Sequence, residues 1–161
     1  MENETLDPTA MINSVIEAHG GHLQSFLTPV LILISWTAVM WLWMYATRIP
    51  AMQKAKINPD DARHPGTYGD RLPANVRAIA DNYNHLHEQP TVFYALMMFA
   101  ALTGGADGLM LKLAYGYVGV RILHSLIQVM SPKVMQRFLA FALASIVLIA
   151  MIVKEIIRVF L

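Results

Sequence analysis

The sequence predicts an all-α integral membrane protein built as a bundle of four transmembrane helices. The chain of 161 residues is 56% hydrophobic and 14% charged, whereas soluble domains carry about 25% charge. Four segments are apolar and long enough, alone or with a helical extension, to cross a bilayer. One of them, Leu109–Val129, contains Arg121 and His124. An arginine at that depth costs at least ~2.5–3.5 kcal/mol, so it usually faces a bundle interior or a wet cavity.

Composition excludes several classes of function. The formal net charge of +1 gives no support for a nucleic-acid partner. The chain has no cysteine, which excludes disulfides, protein thiolates and zinc–sulfur sites, so any sulfur chemistry must come from a ligand. His19 and His22 offer two nitrogen ligands at best, and His85 and His87 diverge on a helix. No metal site is therefore predicted.

The first span is predicted at Phe26–Tyr45, with Pro29 in its first turn, where a missing N–H matters little. The segment before it begins with acidic residues instead of the basic region of a signal peptide, and its short amphipathic stretch suits an interface. We therefore divide the chain into a non-cytoplasmic or interfacial segment, residues 1–25, and a four-helix transmembrane domain, residues 26–161.

The second span has an unusual composition. After a proline- and glycine-rich loop, Arg48–Pro73, comes the polar stretch Ala74–Gln89, and only Thr91–Leu102 is strictly apolar. That apolar part is too short to cross a bilayer alone. We therefore predict one long helix over Ala74–Leu102, kinked at Pro90.

The last two spans are simpler. A tight turn at Thr103–Gly108 leads into the third span, Leu109–Val129, and Ser131 and Pro132 open a fourth helix that runs to about Arg158. Basic residues concentrate in the loop after the first span and in the connection before the fourth helix. The positive-inside rule then places both loops in the cytoplasm and both termini on the other side of the inner membrane. Basic residues near the C-terminus argue mildly against this orientation.

Polar side chains form stripes toward the predicted cytoplasmic ends of three helices. At about 100° per residue, these stripes contain Arg77, Asp81, Asn84, His85 and Glu88 in the second helix, Tyr117, Arg121, His124 and Gln128 in the third, and Arg137 in the fourth. They can converge in one layer of a bundle. Arginines grip carboxylates in a bidentate fashion, and Glu88 would accept an ammonium, so the set suits a small zwitterion. Its positive field would also stabilise a bound thiolate.

Structural explanations of the same residues stay open. Arg77 and Asp81 fit an ordinary surface i,i+4 pair. Glu88 and Arg121 are compatible with a buried structural ion pair in which each neutralises the other. His124 is compatible with an interior histidine whose ring nitrogens are hydrogen-bonded within the protein. The functional interpretation rests on the groups occurring together at matched depth.

Four stretches, taken in order, resemble a known family. They are Lys56–His64 (KINPDDARH), Val76–Leu96 (VRAIADNYNHLHEQPTVFYAL), Gly119–Gln128 (GVRILHSLIQ) and Arg137. Together they resemble a bacterial branch of the MAPEG family, the membrane-associated proteins in eicosanoid and glutathione metabolism. The resemblance covers about Trp43–Ile157.

The resemblance implies a four-helix protomer in a homotrimer, with glutathione bound near the cytoplasmic face between subunits. The glutathione contacts that it implies are Arg48, Arg77, Asn84, Glu88, Arg121, His124 and Gln128. Arg137 would favour the thiolate, and Asp61 would assist. The chain departs from the pattern in three ways. Gln128 and Phe141 occupy positions where several members have tyrosines, and Ala80–Asp81 stands where some members have a second arginine beside the asparagine. The segment from Asn84 to Pro90 is also spaced differently, so that Asn82 competes with Asn84 for the role of the family's asparagine.

Three functions are compatible with these features. The resemblance implies a glutathione-dependent transferase or peroxidase, whose thiolate attacks a lipophilic electrophile or hydroperoxide that arrives through the bilayer. The alternative is a non-catalytic protein that binds a lipid or quinone or serves as a partner subunit, because Ala114, Gly116 and Gly119 allow close helix approach. An ion or proton path gains little support from the apolar run Phe138–Val153.

Overall fold

The computed structural model describes residues 8–58, 60, 69–131 and 133–161. Those residues form five α-helices and a 3-10 turn at Gly69–Arg71, with no strand among them. The helices are α1 (Pro8–Lys54), α2 (Ala74–His85), α3 (Gln89–Leu102), α4 (Gly108–Met130) and α5 (Val134–Phe160). The all-α class predicted from the sequence is confirmed.

The first helix is longer than its apolar segment. α1 has 47 residues and contains both Pro29 and Pro50. Pro29 was expected in the first turn, but the structure places it well inside the helix because α1 already begins at Pro8. Its ring is fully buried in the bundle. The role of residues 1–25 as a separate interfacial segment stays a prediction.

The single helix predicted over Ala74–Leu102 is wrong, because the structure has two helices there. Pro90 has no N–H to donate, and its ring crowds the carbonyl of Leu86 four residues earlier. Glu88 leaves the helical conformation, with φ −93° and ψ −100°. Pro90 then falls in the first turn of α3, where proline is well tolerated. The proline therefore breaks the element instead of kinking it.

The third and fourth predicted helices agree with α4 and α5 to within a few residues. Asp107 caps α4, and its Oδ1 accepts a hydrogen bond of 2.8 Å from the Met110 amide. Such a cap stabilises a helix by about 1 kcal/mol. Pro132, which was expected to open the fourth helix, lies outside the described residues, and α5 begins at Val134.

One apolar core joins the helices. α4 packs against α1, α2 and α5, and α3 packs against α1 and α5. Large buried side chains come from four of the helices: Phe26, Leu33, Met40, Phe93, Met97, Met110, Tyr117 and Met151. The rings of Phe93 and Tyr117 stack with their centroids 4.6 Å apart, which ties α3 to α4.

The outer surface of the bundle is also apolar. Gly20–Lys54 of α1 and all of α5 are long and apolar enough to cross a membrane. On α5, one face packs inward through Ala144, Leu148 and Met151, while the remaining faces expose side chains such as Ile146 and Ile149. Exposed apolar area on this scale is unusual in a soluble monomer and suits a lipid environment.

A group of ion pairs and hydrogen bonds, here called the turn network, holds the α3–α4 turn against α5. Glu155 is only 3% exposed. Its carboxylate accepts hydrogen bonds from Arg158 at 2.6 Å and from Lys154 at 3.2 Å. Arg158 also donates to the carbonyl of Thr103 at 2.9 Å and to its hydroxyl at 2.7 Å, and Lys154 pairs with Asp107 at 2.6 Å. The basic residues near the C-terminus are therefore neutralised within the protein.

The space beside Gly105 and the pKa of Asp107 both reflect the close contacts within the turn network. A Cβ on Gly105 would lie 2.5 Å from Oε2 of Glu155, so a larger residue would displace the carboxylate. Partial burial would raise the pKa of Asp107, but hydrogen bonds from Lys154 and from the Met110 amide outweigh this effect and lower the pKa. The α3–α4 turn and α5 are thus joined by charged groups that pair with one another.

Candidate functional site

One cavity brings together four of the residues that the sequence analysis assigned to a site. It has a volume of about 470 Å³ and is lined by Arg48 of α1, by Arg77, Asp81 and Asn84 of α2, and by Arg137 of α5. We call it the arginine cavity. The rest of its lining is apolar and consists of Leu72, Ala74, Val76, Ala78 and Ala80. Its volume lies in the range of small-molecule sites.

Helical spacing explains how these side chains meet. Arg77, Asp81 and Asn84 follow one another at intervals of four and three residues, so they share one face of α2. Arg48 lies near the end of α1, which packs against α2. Arg137 lies in the first turn of α5. The cavity therefore forms where α1, α2 and α5 meet, and it includes part of the stripe of the second predicted helix and Arg137 but no residue of the third-helix stripe.

Among the described residues that line the arginine cavity, three guanidinium groups stand against one carboxylate, so this lining carries a net positive charge. Arg77 pairs with Asp70 at 3.3 Å, but Asp70 is fully exposed, so this pair is weak. The surface pair between Arg77 and Asp81 that was left open above does not occur among the described residues. A partly enclosed site of one charge sign attracts ligands of the opposite sign. The cavity is therefore suited to a ligand with carboxylates.

Three other predicted site residues lie in the interior of the bundle. Arg121, His124 and Gln128 are 1%, 3% and 4% exposed, and we call them the interior cluster. Nη2 of Arg121 donates to the carbonyl of His85 at 2.6 Å. This carbonyl lies at the end of α2, where its local amide donor, Glu88, is at the long distance of 3.5 Å. Arg121 thus gives this carbonyl a second and shorter hydrogen bond.

An aromatic ring connects the interior cluster with the arginine cavity. Phe141 follows Arg137 by one turn of α5. The ring centroid of His124 lies 5.9 Å from that of Phe141, and the guanidinium carbon of Arg121 lies 6.0 Å from the same ring. The rings of His124 and His85 are nearly perpendicular, with their centroids 6.2 Å apart. The two groups of polar residues are therefore neighbours, with Phe141 between them.

Glu88 lies in neither group. It follows α2 in the break, its side chain is 58% exposed, and it pairs with Nδ1 of His85 at 2.9 Å. The buried pair between Glu88 and Arg121 that was considered above is not formed, because Arg121 donates to the His85 backbone instead. In the described part of the cavity wall, the carboxylate is that of Asp81. Asp61 lies outside the described residues, so its role and that of Glu88 stay predictions.

One buried polar contact was not predicted from the sequence. Asn82 is 0% exposed, and its Nδ2 donates to the hydroxyl of Ser125 at 2.5 Å, which links α2 to α4. The helical spacing contained the signal, because Asn82 shares a face with the buried residues Ile79 and Leu86. The two candidate asparagines therefore differ in position: Asn82 lies in the core, and Asn84 lines the cavity.

Arg121→Ala should destabilise the protein by about 2–4 kcal/mol, because it leaves a buried void and removes the short hydrogen bond to the His85 carbonyl. Thermal unfolding in detergent measures this change. Arg137→Ala also removes an arginine side chain, but from the half-buried cavity wall, so it should lower the free energy of unfolding by less than about 1 kcal/mol. Equal melting temperatures for wild type and Arg121→Ala would contradict a structural role for this arginine.

Neither a curated protein nor a solved structure shows significant similarity to this chain. The model of the MAPEG family, in contrast, matches residues 26–157. This range begins with the first core residue of α1 and ends at Ile157, within the last turns of α5, so it includes the arginine cavity, the interior cluster and all of the turn network except Arg158. The resemblance carried by the four sequence stretches is confirmed, and the chain belongs to the MAPEG family.

Proposed function

We propose that this protein is a glutathione-dependent membrane transferase or peroxidase that acts on lipophilic electrophiles. Its family includes glutathione-dependent transferases and also non-catalytic members. The observation that carries the proposal is the convergence of Arg48, Arg77 and Arg137 on one cavity. Guanidinium groups bind carboxylates in a bidentate fashion, and glutathione has two carboxylates, one ammonium and a thiol.

The donors of the arginine cavity fit such a ligand. Arg48 and Arg77 are suited to its carboxylates, and the amide of Asn84 can pair with its peptide groups. Bound glutathione would supply the thiolate nucleophile. Arg137, at the start of α5, is the group that we assign to stabilising this negative charge. Binding and charge stabilisation are sufficient for such chemistry, so a covalent intermediate on the protein is not required.

We further propose that the functional unit is a homotrimer of four-span protomers in the inner membrane. In each protomer α2 and α3 together form the second span, and both termini lie on the non-cytoplasmic side. The exposed apolar side chains of α1 and α5 support contact with lipid or with neighbouring subunits. The lipophilic substrate would then reach the arginine cavity from the bilayer.

Glutathione should stabilise the purified protein against heat. A ligand present at 100 times its Kd stabilises the folded state by ~2.7 kcal/mol. Arg77→Ala removes one cavity guanidinium and should reduce this ligand-dependent shift. Lys112→Ala is the matched control, because Lys112 is an exposed cation on α4 that does not line the cavity. The absence of any shift with millimolar glutathione would contradict the proposal.

One observation favours a second candidate, a non-catalytic MAPEG protein that binds a lipid or quinone or serves as a partner subunit. Two groups that the resemblance assigns to glutathione are engaged within the chain, because Arg121 bonds to the His85 carbonyl and Glu88 pairs with the His85 ring. A non-catalytic scaffold predicts that Arg121→Ala still destabilises the protein while glutathione has no effect. The same thermal measurements therefore separate the two candidates.

A further inference from the structure

We propose that Asp81 is the specificity-determining residue of the arginine cavity, and that it makes the cavity prefer thiol ligands with a free ammonium group over ligands with carboxylates alone. This inference rests on the proposed function. Among the described residues that line the cavity, Asp81 is the one acidic side chain. It forms no ion pair with any of the residues that the structure describes. Its carboxylate can therefore be directed to a ligand.

The position of Asp81 follows from α2. Arg77 precedes it by one turn and Asn84 follows it by almost one turn, so a cation-binding group stands between an anion-binding group and an amide on the same face. Arg77 does not form an ion pair with Asp81, because it pairs with Asp70, which does not line the cavity. An α-amino acid group presents a carboxylate and an ammonium close together. The arrangement on α2 is complementary to such a pair of charges.

Glu88, which the sequence analysis assigned to the ammonium, is a poorer choice. It does not line the arginine cavity, and its carboxylate is paired with the ring of His85 at 2.9 Å. Charge also argues for Asp81. Three guanidinium groups make the cavity unfavourable for an ammonium, so a ligand with a free amine needs a carboxylate within the cavity itself.

Glutathione and N-acetylglutathione form the decisive pair of probes. Both carry the thiol and the carboxylates, but the acetyl group removes the positive charge. Wild-type protein should bind glutathione about tenfold more tightly than the acetylated form, which corresponds to one charge-assisted hydrogen bond. In Asp81→Asn the two dissociation constants should become equal, and N-acetylglutathione should bind at least as tightly as it binds to wild type. Isothermal titration calorimetry in detergent measures both constants.

Two control variants separate this effect from a general change in charge. Asp70→Asn removes a carboxylate that also contacts Arg77 but does not line the cavity, and it should keep the tenfold preference. Glu88→Gln tests the alternative assignment and should also keep it. Asp81 is exposed, and its replacement by asparagine preserves shape, so the unliganded melting temperature should not change.

The possible results have different consequences. If wild type binds neither ligand, the proposed function is contradicted, and this inference is overturned with it. If glutathione binds but the preference survives in Asp81→Asn, or is lost in Glu88→Gln instead, only the assignment of Asp81 is overturned. Equal binding of both ligands by wild type would also overturn it, because the cavity would then not recognise the amine.

Discussion

Arg137→Ala should lower glutathione-dependent conjugation of a generic electrophile by about 100-fold or more. Removing one group that stabilises a developing or bound anion typically costs 10²- to 10³-fold in rate. Arg137 lies on the wall of the arginine cavity in the first turn of α5, where its charge can stabilise a thiolate. Without it the bound thiol should titrate closer to its ordinary pKa of about 8.5. Initial rates measured across a pH series test both expectations.

The pH dependence distinguishes this role from a structural one. The rate lost by Arg137→Ala should be partly recovered at alkaline pH, and Arg137→Lys should retain part of the activity at neutral pH because it keeps the charge. Lys133→Ala is the matched control, because Lys133 is an exposed cation just before α5 that does not line the cavity. Wild-type conjugation rates for Arg137→Ala at neutral pH would contradict the proposed role of Arg137.

Glu155→Ala should destabilise the protein by about 3 kcal/mol. Breaking a buried ion pair by removal of one partner costs about 3–5 kcal/mol. The lower end applies here, because the side chains of Lys154 and Arg158 are 19% and 27% exposed and Lys154 keeps its pair with Asp107. Thermal or denaturant unfolding in detergent measures the change. The arginine cavity has no residue in the turn network, so glutathione binding should survive.

Gly105→Ala provides a second variant at the same place. Its methyl group would lie 2.5 Å from Oε2 of Glu155, so the carboxylate must move away from its partners. The substitution should therefore destabilise wild type but cost little in the Glu155→Ala background. Such a double-mutant cycle measures the coupling directly. If the two effects simply add, the close contact between Gly105 and Glu155 does not govern the stability of the turn.

The boundaries of α4 and α5 could be predicted because each is a long apolar run with a clear cap or turn at its start. The break between α2 and α3 was harder to predict. A proline at Pro90 is compatible with a kink or with a complete interruption, depending on whether the freed carbonyls find other donors. Here the shortest hydrogen bond to the His85 carbonyl, at 2.6 Å, comes from Arg121, which is 36 positions away in the chain. Local periodicity contains no information about such a partner.

The same break explains which part of the candidate site was predictable. Arg77, Asp81 and Asn84 lie on one continuous helix, so their common face follows directly from their spacing. Glu88 would continue this stripe only if the helix continued, one turn beyond Asn84. Because α2 ends at His85, Glu88 leaves the face and points to a different neighbour. The interior position of Arg121, in contrast, follows from the cost of exposing an arginine to lipid.

α1 is much longer than a helix needs to be to cross a bilayer. At a rise of 1.5 Å per residue, its 47 residues extend for about 70 Å, whereas the hydrocarbon core of a bilayer is about 30 Å thick. Even at the largest usual tilt of a transmembrane helix, roughly 30 Å of the length of α1 lies outside the hydrocarbon core. Much of that excess precedes Phe26, where Ile12 and Ile16 are exposed. We therefore expect the turns of α1 that precede Phe26 to extend beyond the hydrocarbon core.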